Sequence, residues 1–90
     1  MKYRINKDVL WKFIDGETVI VKPDSDKYSY LNSTGTIIWK MIDEGSPVGK
    51  IVDYFVHYYD HPAENLQADI EEIIEKLIDE GFVEKDEQDG

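Results

Sequence analysis

His57 and His61 are the nearest this sequence comes to a metal site. Four residues apart, they would share a face of a continuous helix and could grip a cation together with Asp53 or Asp60. Pro62 follows His61 directly, which makes the second position irregular, and no third strong ligand keeps a fixed spacing. The pair therefore reads as surface residues at a helix end. A histidine acting as a general base needs a nucleophile or a cleft beside it, and the sequence specifies neither. There is no cysteine, which removes thiolate ligands, disulfides and a thiol nucleophile together. Ser25, Ser29, Ser33 and Ser46 all sit at turn, cap or strand positions, outside any nucleophile-elbow pattern. The six glycines are isolated, so no phosphate-cradling loop forms. No catalytic residue, metal or cofactor is expected.

Charge offers a different kind of chemistry. Asp69, Glu72 and Lys76 recur at i, i+3 and i+7 late in the chain and would line one helix face. They read either as a solvated face with a Glu72–Lys76 ion pair, worth a few tenths of a kcal/mol, or as a charged wall beside a groove that selects a ligand side chain. Among the aromatics, Trp11, Phe13, Phe55 and Phe82 fit core positions. Tyr28 and Tyr30 are either core or contact residues projecting from an edge strand, where tyrosine supplies area with a polar tip. Trp39 falls at the core boundary.

The bulk composition narrows the partners. The 90 residues suit one domain over 1–90, with an ordered core of about 9–84 and an acidic tail over 85–90. Twenty acidic and 10 basic residues leave a formal net charge of −10, and the cations are scattered. Duplex nucleic acid is bound mainly by cations placed on phosphates, so this balance disfavours nucleic acid and anionic membranes alike. A peptide or protein carrying some positive charge is favoured. The N-terminal M-K-Y-R-I-N-K-D lacks the apolar run of a signal peptide. No window approaches the roughly 18 apolar residues of a membrane span. Both features, with the lack of cysteine, point to the cytoplasm.

The elements follow from period and turn chemistry. Residues 1–8 read as a loose lead-in. Val9 to Ile14 is aromatic and β-branched, a first strand. Asp15-Gly16 is a hairpin turn, and Glu17 to Lys22 alternates, with Val19 and Val21 on one face. Pro23 to Asp26 is dense in turn formers. Lys27 to Leu31 is a third strand, with Tyr28 and Tyr30 on one face and Ser29 and Leu31 on the other. Connections this short give an antiparallel meander whose outer strands keep unpaired backbone groups.

The period then changes. Asn32, Ser33 or Thr34 can cap a helix that runs to about Glu44, with Ile37, Ile38, Met41 and Ile42 as its stripe and Gly45 as its stop. Ser46-Pro47 restarts the chain, serine as cap and proline at the first helical position. Val48, Ile51, Val52, Phe55, Val56 and Tyr59 then trace an amphipathic helix. His61-Pro62 breaks it. A last helix from about Ala63 carries Leu66, Ile70, Ile73, Ile74, Leu77 and Ile78. Gly81 ends that helix, Phe82-Val83 folds back as a short strand or clasp, and residues 84–90 read as a frayed acidic tail. Three strands followed by three helices predict an α+β winged helix-turn-helix.

Tyr30-Leu31-Asn32-Ser33-Thr34-Gly35, then Ile38-Trp39, Ile42-Asp43 and Gly45, carry a resemblance to a known family. Ser46, Ile51 to Tyr54, Asp69-Ile70, Ile74, Leu77 and Gly81-Phe82-Val83 continue it at matching spacings. The chain resembles the PqqD family, whose fold is also called the RiPP recognition element, over about residues 9–84. The resemblance implies a winged helix without catalytic activity. It implies binding of the leader of a ribosomally made precursor peptide, which adds as a β-strand beside the third strand and lies against the last helix. The complex would then be presented to a modifying enzyme, a radical SAM maturase or a leader peptidase. On this chain the implied peptide site is Lys27, Tyr28, Ser29, Tyr30 and Leu31 on the strand, with Leu66, Asp69, Ile70, Ile73, Lys76 and Leu77 on the helix.

Elementary physics points the same way. An edge strand gives a peptide its backbone partners and flanking pockets give specificity. The acidic surplus suits a leader carrying Lys or Arg. The competing readings are a winged-helix nucleic-acid binder, a general protein-interaction domain and a small enzyme. The last helix carries Glu64, Asp69, Glu71, Glu72, Glu75, Asp79 and Glu80, the wrong sign for a major groove. No constellation supports the enzyme. An unpaired edge leaves a strand-swapped homodimer open.

Overall fold

The structure, a computed structural model, describes residues 2–59 and 63–86. Its centre is a three-stranded antiparallel sheet in the order β2 (Leu10–Ile14), β3 (Glu17–Lys22), β4 (Lys27–Leu31). Asp15 and Gly16 both take positive φ, 51° and 82°, which matches the tight turn their types predict. A short 3₁₀ turn over Pro23–Ser25 and Asp26 at φ 55° return the chain into β4. Three helices follow: α1 (Ser33–Asp43), α2 (Val48–Tyr59) and α3 (Ala63–Asp79). The arrangement is the predicted α+β one.

The chain ends differ from the reading above. Lys2–Ile5 is not a lead-in but a strand, β1, paired antiparallel with β5 (Val83–Asp86). The expected tail therefore supplies a strand as far as Asp86, while residues 87–90 lie outside the described residues. Tyr3 and Val83 are buried in this pair, and Arg4 Nε meets Glu84 Oε1 at 2.9 Å across it. Of the expected strand or clasp at Phe82-Val83, Val83 does open β5, but neither end alternates over enough residues to show the full pair. Each becomes a strand by finding the other.

Helix starts and stops are local chemistry. Of the three candidates Asn32 is the cap of α1, its Oδ1 accepting from Gly35 N at 2.9 Å. Gly45 and Gly81 follow α1 and α3 at φ 83° and 82°, the left-handed conformation that glycine adopts without penalty. The helix α2 starts at Val48, one residue later than predicted. The Pro47 carbonyl accepts from Lys50 N and Ile51 N, so the proline occupies the cap position instead of the first turn. His61-Pro62 lies outside the described residues.

The core lies between the inner face of the sheet and the helices. Ile20, Ile38, Trp39, Ile51, Ile74 and Phe82 are completely buried there. Trp39 thus belongs to the core, edge-on to the half-buried Trp11 at 5.6 Å. Phe13 does not: it is 43 % exposed, with the Lys40 ammonium 4.6 Å above its ring. Val56 and Tyr59 also leave the predicted stripe of α2 for the surface. Among the described residues no helix is long and apolar enough to cross a membrane.

Candidate functional site

The strand β4 is the edge of its sheet: β3 pairs with one side of it, and among the described residues nothing pairs with the other. Alternate residues of such a strand direct N–H and C=O outward, toward whatever lies beside it. Here a cleft lies beside it. A hollow of about 270 Å³ runs between the end of β4, the start of α1 and the C-terminal half of α3, lined by Ser29, Leu31, Gly35, Ile73, Leu77 and Glu80 among others. A second hollow of about 470 Å³ continues it along α3, bounded by Thr34, Phe55, Leu66, Asp69, Ile70 and Glu72. Asn32, Ile73 and Lys76 line both, so the two form one groove with a waist.

Local sequence accounts for the groove's shape. Ser29 and Leu31 stand on the helix side of β4 and are half-buried. Gly35 allows α1 to start close against the strand, because a Cβ there would come within 3.1 Å of Leu31 Cβ. The spacing of Ile70, Ile73 and Leu77 puts Ile70 and Leu77 nearly fully into the core, 2 % exposed each, while Ile73 between them stays half-exposed in the groove. Which apolar residues of α3 face the cleft and which the core was open in the sequence, and Ile73 and Leu66 are the ones with surface to offer. Asp69, Glu72 and Lys76 are exposed along the rim. Lys76 makes no ion pair with Glu72. Along the groove α3 sets out Asp69, Glu72, Lys76 and Glu80 in turn, one cation among three carboxylates.

The two tyrosines resolve clearly. The rings of Tyr28 and Tyr30 stand on the outer face of the sheet, each residue 66 % exposed, edge-to-face at 6.1 Å, while Tyr30 also borders the end of the groove. Lys27 is exposed at the far end of β4, opposite Lys22 in the register, and does not line the groove. Of the eleven residues read as the peptide site, nine line the groove or its end: Ser29, Tyr30, Leu31, Leu66, Asp69, Ile70, Ile73, Lys76 and Leu77. Asn32, Thr34, Gly35, Phe55 and Glu80 also line it and were not read as site residues. Asn32 and Gly35 carried cap and spacing signals, which spoke of helix formation and not of contact.

Among the described residues no group of three or more His, Cys, Asp or Glu side chains could hold an ion. His57 is exposed and packs on the Tyr58 ring at 4.8 Å, while His61 lies outside the described residues.

The family model described as coenzyme PQQ synthesis protein D (PqqD) matches residues 17–83. No curated protein sequence matches the chain. Among solved structures, "TbiB1 in Complex with the TbiA(beta) Leader Peptide" is similar at TM-score 0.87 and 24 % identity, over 92 % of this chain and 96 % of that one. "Lasso peptide synthetase B1 complexed with the leader peptide" is similar at TM-score 0.87 and 18 % identity, over 94 % and 100 %. At these identities the likeness establishes the fold.

Proposed function

The chain belongs to the PqqD family, and from that membership and the groove we propose that it binds the leader of a ribosomally made precursor peptide by β-strand addition. One observation carries the reading: the unpaired edge of β4 opens directly onto a groove walled by α3. A peptide laid there gains backbone hydrogen bonds from β4, while its inward side chains meet Ile73, Leu66 and the charged rim. Both of these similar structures are complexes with leader peptides, which supports a leader as the ligand. The role is presentation without catalysis: the bound leader brings its precursor to a modifying enzyme, a radical SAM maturase or a leader peptidase. The same edge can pair with a second copy, and leader binding would then compete with dimer formation. Nucleic acid is the weaker reading, since α3 presents Asp69, Glu71, Glu72, Glu75 and Asp79 to any duplex.

The test is a fluorescence-polarisation titration of the full chain with a labelled leader peptide from any short neighbouring reading frame, and with a duplex DNA as control. The leader should bind with a Kd in the micromolar range or tighter, and DNA should not bind. Proline placed in β4 where an N–H points outward removes a donor and should weaken leader binding in a chain whose circular dichroism is unchanged. Leader binding that ignored these prolines would remove β4 as the acceptor.

A further inference from the structure

On the proposed strand-addition reading, a leader would expose a second set of side chains that the groove cannot see. We propose that the chain reads this outward set as well, with Tyr28 and Tyr30 as the selecting residues, and that the leader carries aromatic or β-branched residues at two positions two apart on that face.

The outer face of the sheet is unusually apolar for a surface open to water. The register aligns Leu10, Val21 and Tyr28 in one cross-strand row, and Lys12, Val19 and Tyr30 in the next. Leu10, Ile14, Val21, Tyr28 and Tyr30 are all exposed. A shallow hollow of about 300 Å³ between β2 and β3 on this face is lined almost wholly by apolar groups of Leu10, Ile14, Val19 and Val21. In a chain of net charge −10, these two rows contain no acidic residue.

The rows stop abruptly at β4. Their last members are the two large rings, and among the described residues nothing takes the next place in either row. A strand added at β4 fills those places by geometry: every second residue stands on the outer face, about 4.5–5.5 Å from the tyrosine opposite it. The rings are already edge-to-face at 6.1 Å, which offers a prearranged ledge for aromatic or β-branched partners. The leader would be apolar on both faces, with one phase entering the groove beside Ile73 and the other lying on the ledge.

A second copy of the chain is a poorer occupant. Three strands at about 4.8 Å and five residues at about 3.4 Å make a plate of roughly 15 by 17 Å, far short of the roughly 800 Å² per partner in a stable interface. Continuity with the β4 edge favours the leader.

The test needs no knowledge of the natural leader. Random dodecapeptides on phage are selected against the full chain and against a Tyr28→Thr/Tyr30→Thr variant, which keeps β-forming residues at two exposed positions. Peptides selected on the wild type should carry aromatic or β-branched residues at i and i+2 in the phase opposite to their groove anchors. Their affinity should fall about tenfold on the variant, the loss expected from two cross-strand aromatic pairs. Peptides selected on the variant should keep the anchors and lose the outward preference. An unchanged consensus and affinity would overturn the proposal. So would a wild-type dimer that the variant turns to monomer while peptide affinity holds, since the ledge would then belong to a second copy. N-methylation of successive amides in a selected peptide separates the two levels. Losses at every second amide without tyrosine dependence sink this inference alone; losses with no such period sink strand addition and this inference with it.

Discussion

Thr18 and Thr36 are hydroxyls where a small core would be expected to hold methyl groups. They are 0 % and 4 % exposed, and their Oγ1 atoms lie 2.7 Å apart, joining β3 to α1. Thr36 Oγ1 also reaches the Leu31 carbonyl at 3.4 Å, where β4 ends. The two hydroxyls are therefore not equivalent. Thr36→Val leaves the Thr18 hydroxyl buried with no partner and should cost about 1–3 kcal/mol. Thr18→Val leaves Thr36 its carbonyl and should cost less. The double variant should lose less than the sum, because no orphan remains. Urea unfolding midpoints of the three variants test this ordering, and equal losses for the two single variants would refute it. Nothing in the sequence linked these residues, since a buried pair 18 residues apart has no local signature.

At the scale of elements, the junction of β4 with α1 sets the width of the groove. Helix propensity alone favours Gly35→Ala by roughly 0.5–1 kcal/mol. Against this, the new methyl would stand 3.1 Å from Leu31 Cβ, and Leu31 lines the groove. The two effects oppose each other in stability but not in binding. Thermal unfolding of Gly35→Ala should therefore stay close to the wild type, while leader affinity falls several-fold as Leu31 is displaced. Unchanged affinity would take Leu31 out of the peptide surface. Element positions were largely legible, because Asn32, Gly45, Gly81 and the Asp15-Gly16 pair act on their own neighbourhood. The exceptions were short of signal: Pro47 slipped from first turn to cap, and Phe13 was drawn from the core to a place under Lys40.

At the scale of the molecule, the pairing of β1 with β5 brings the two ends of the chain together and buries Tyr3. Burial raises the Tyr3 phenol above its usual pKa, and the charges of Glu75 and Glu71 add to the effect. In the unfolded chain the phenol ionises near its ordinary value of about 10; in the folded chain it holds its proton to higher pH. The unfolded state then binds fewer protons, so stability falls as pH rises from about 10 toward the raised folded value, and below the unfolded pKa the contribution is complete. Tyr3→Phe should flatten this alkaline loss. Denaturant melts of both proteins across the alkaline range would show it, and parallel profiles would mean that Tyr3 ionises alike in both states.

What the sequence alone determined was the order and kind of the elements from β2 to α3 and the strand that would serve as an edge. Those properties rest on backbone sterics and on periods of two or 3.6, which a few neighbouring residues specify. It also showed that Tyr28 and Tyr30 share a face, because alternation is local. Which face is inside was decided only by the tertiary structure. In β3 the residues that enter the core are Thr18 and Ile20, while Val19 and Val21 turn outward, although valine is the more apolar partner of threonine. Alternation has two equivalent phases, and the choice between them lies with what packs on top: Thr36 of α1 supplies a partner for Thr18, and a helix covers one side of the sheet only. The same holds for Ile73, whose groove exists only once α3 lies beside β4, and for β1 and β5, which are strands because each completes the other's hydrogen bonds across nearly the whole length of the chain.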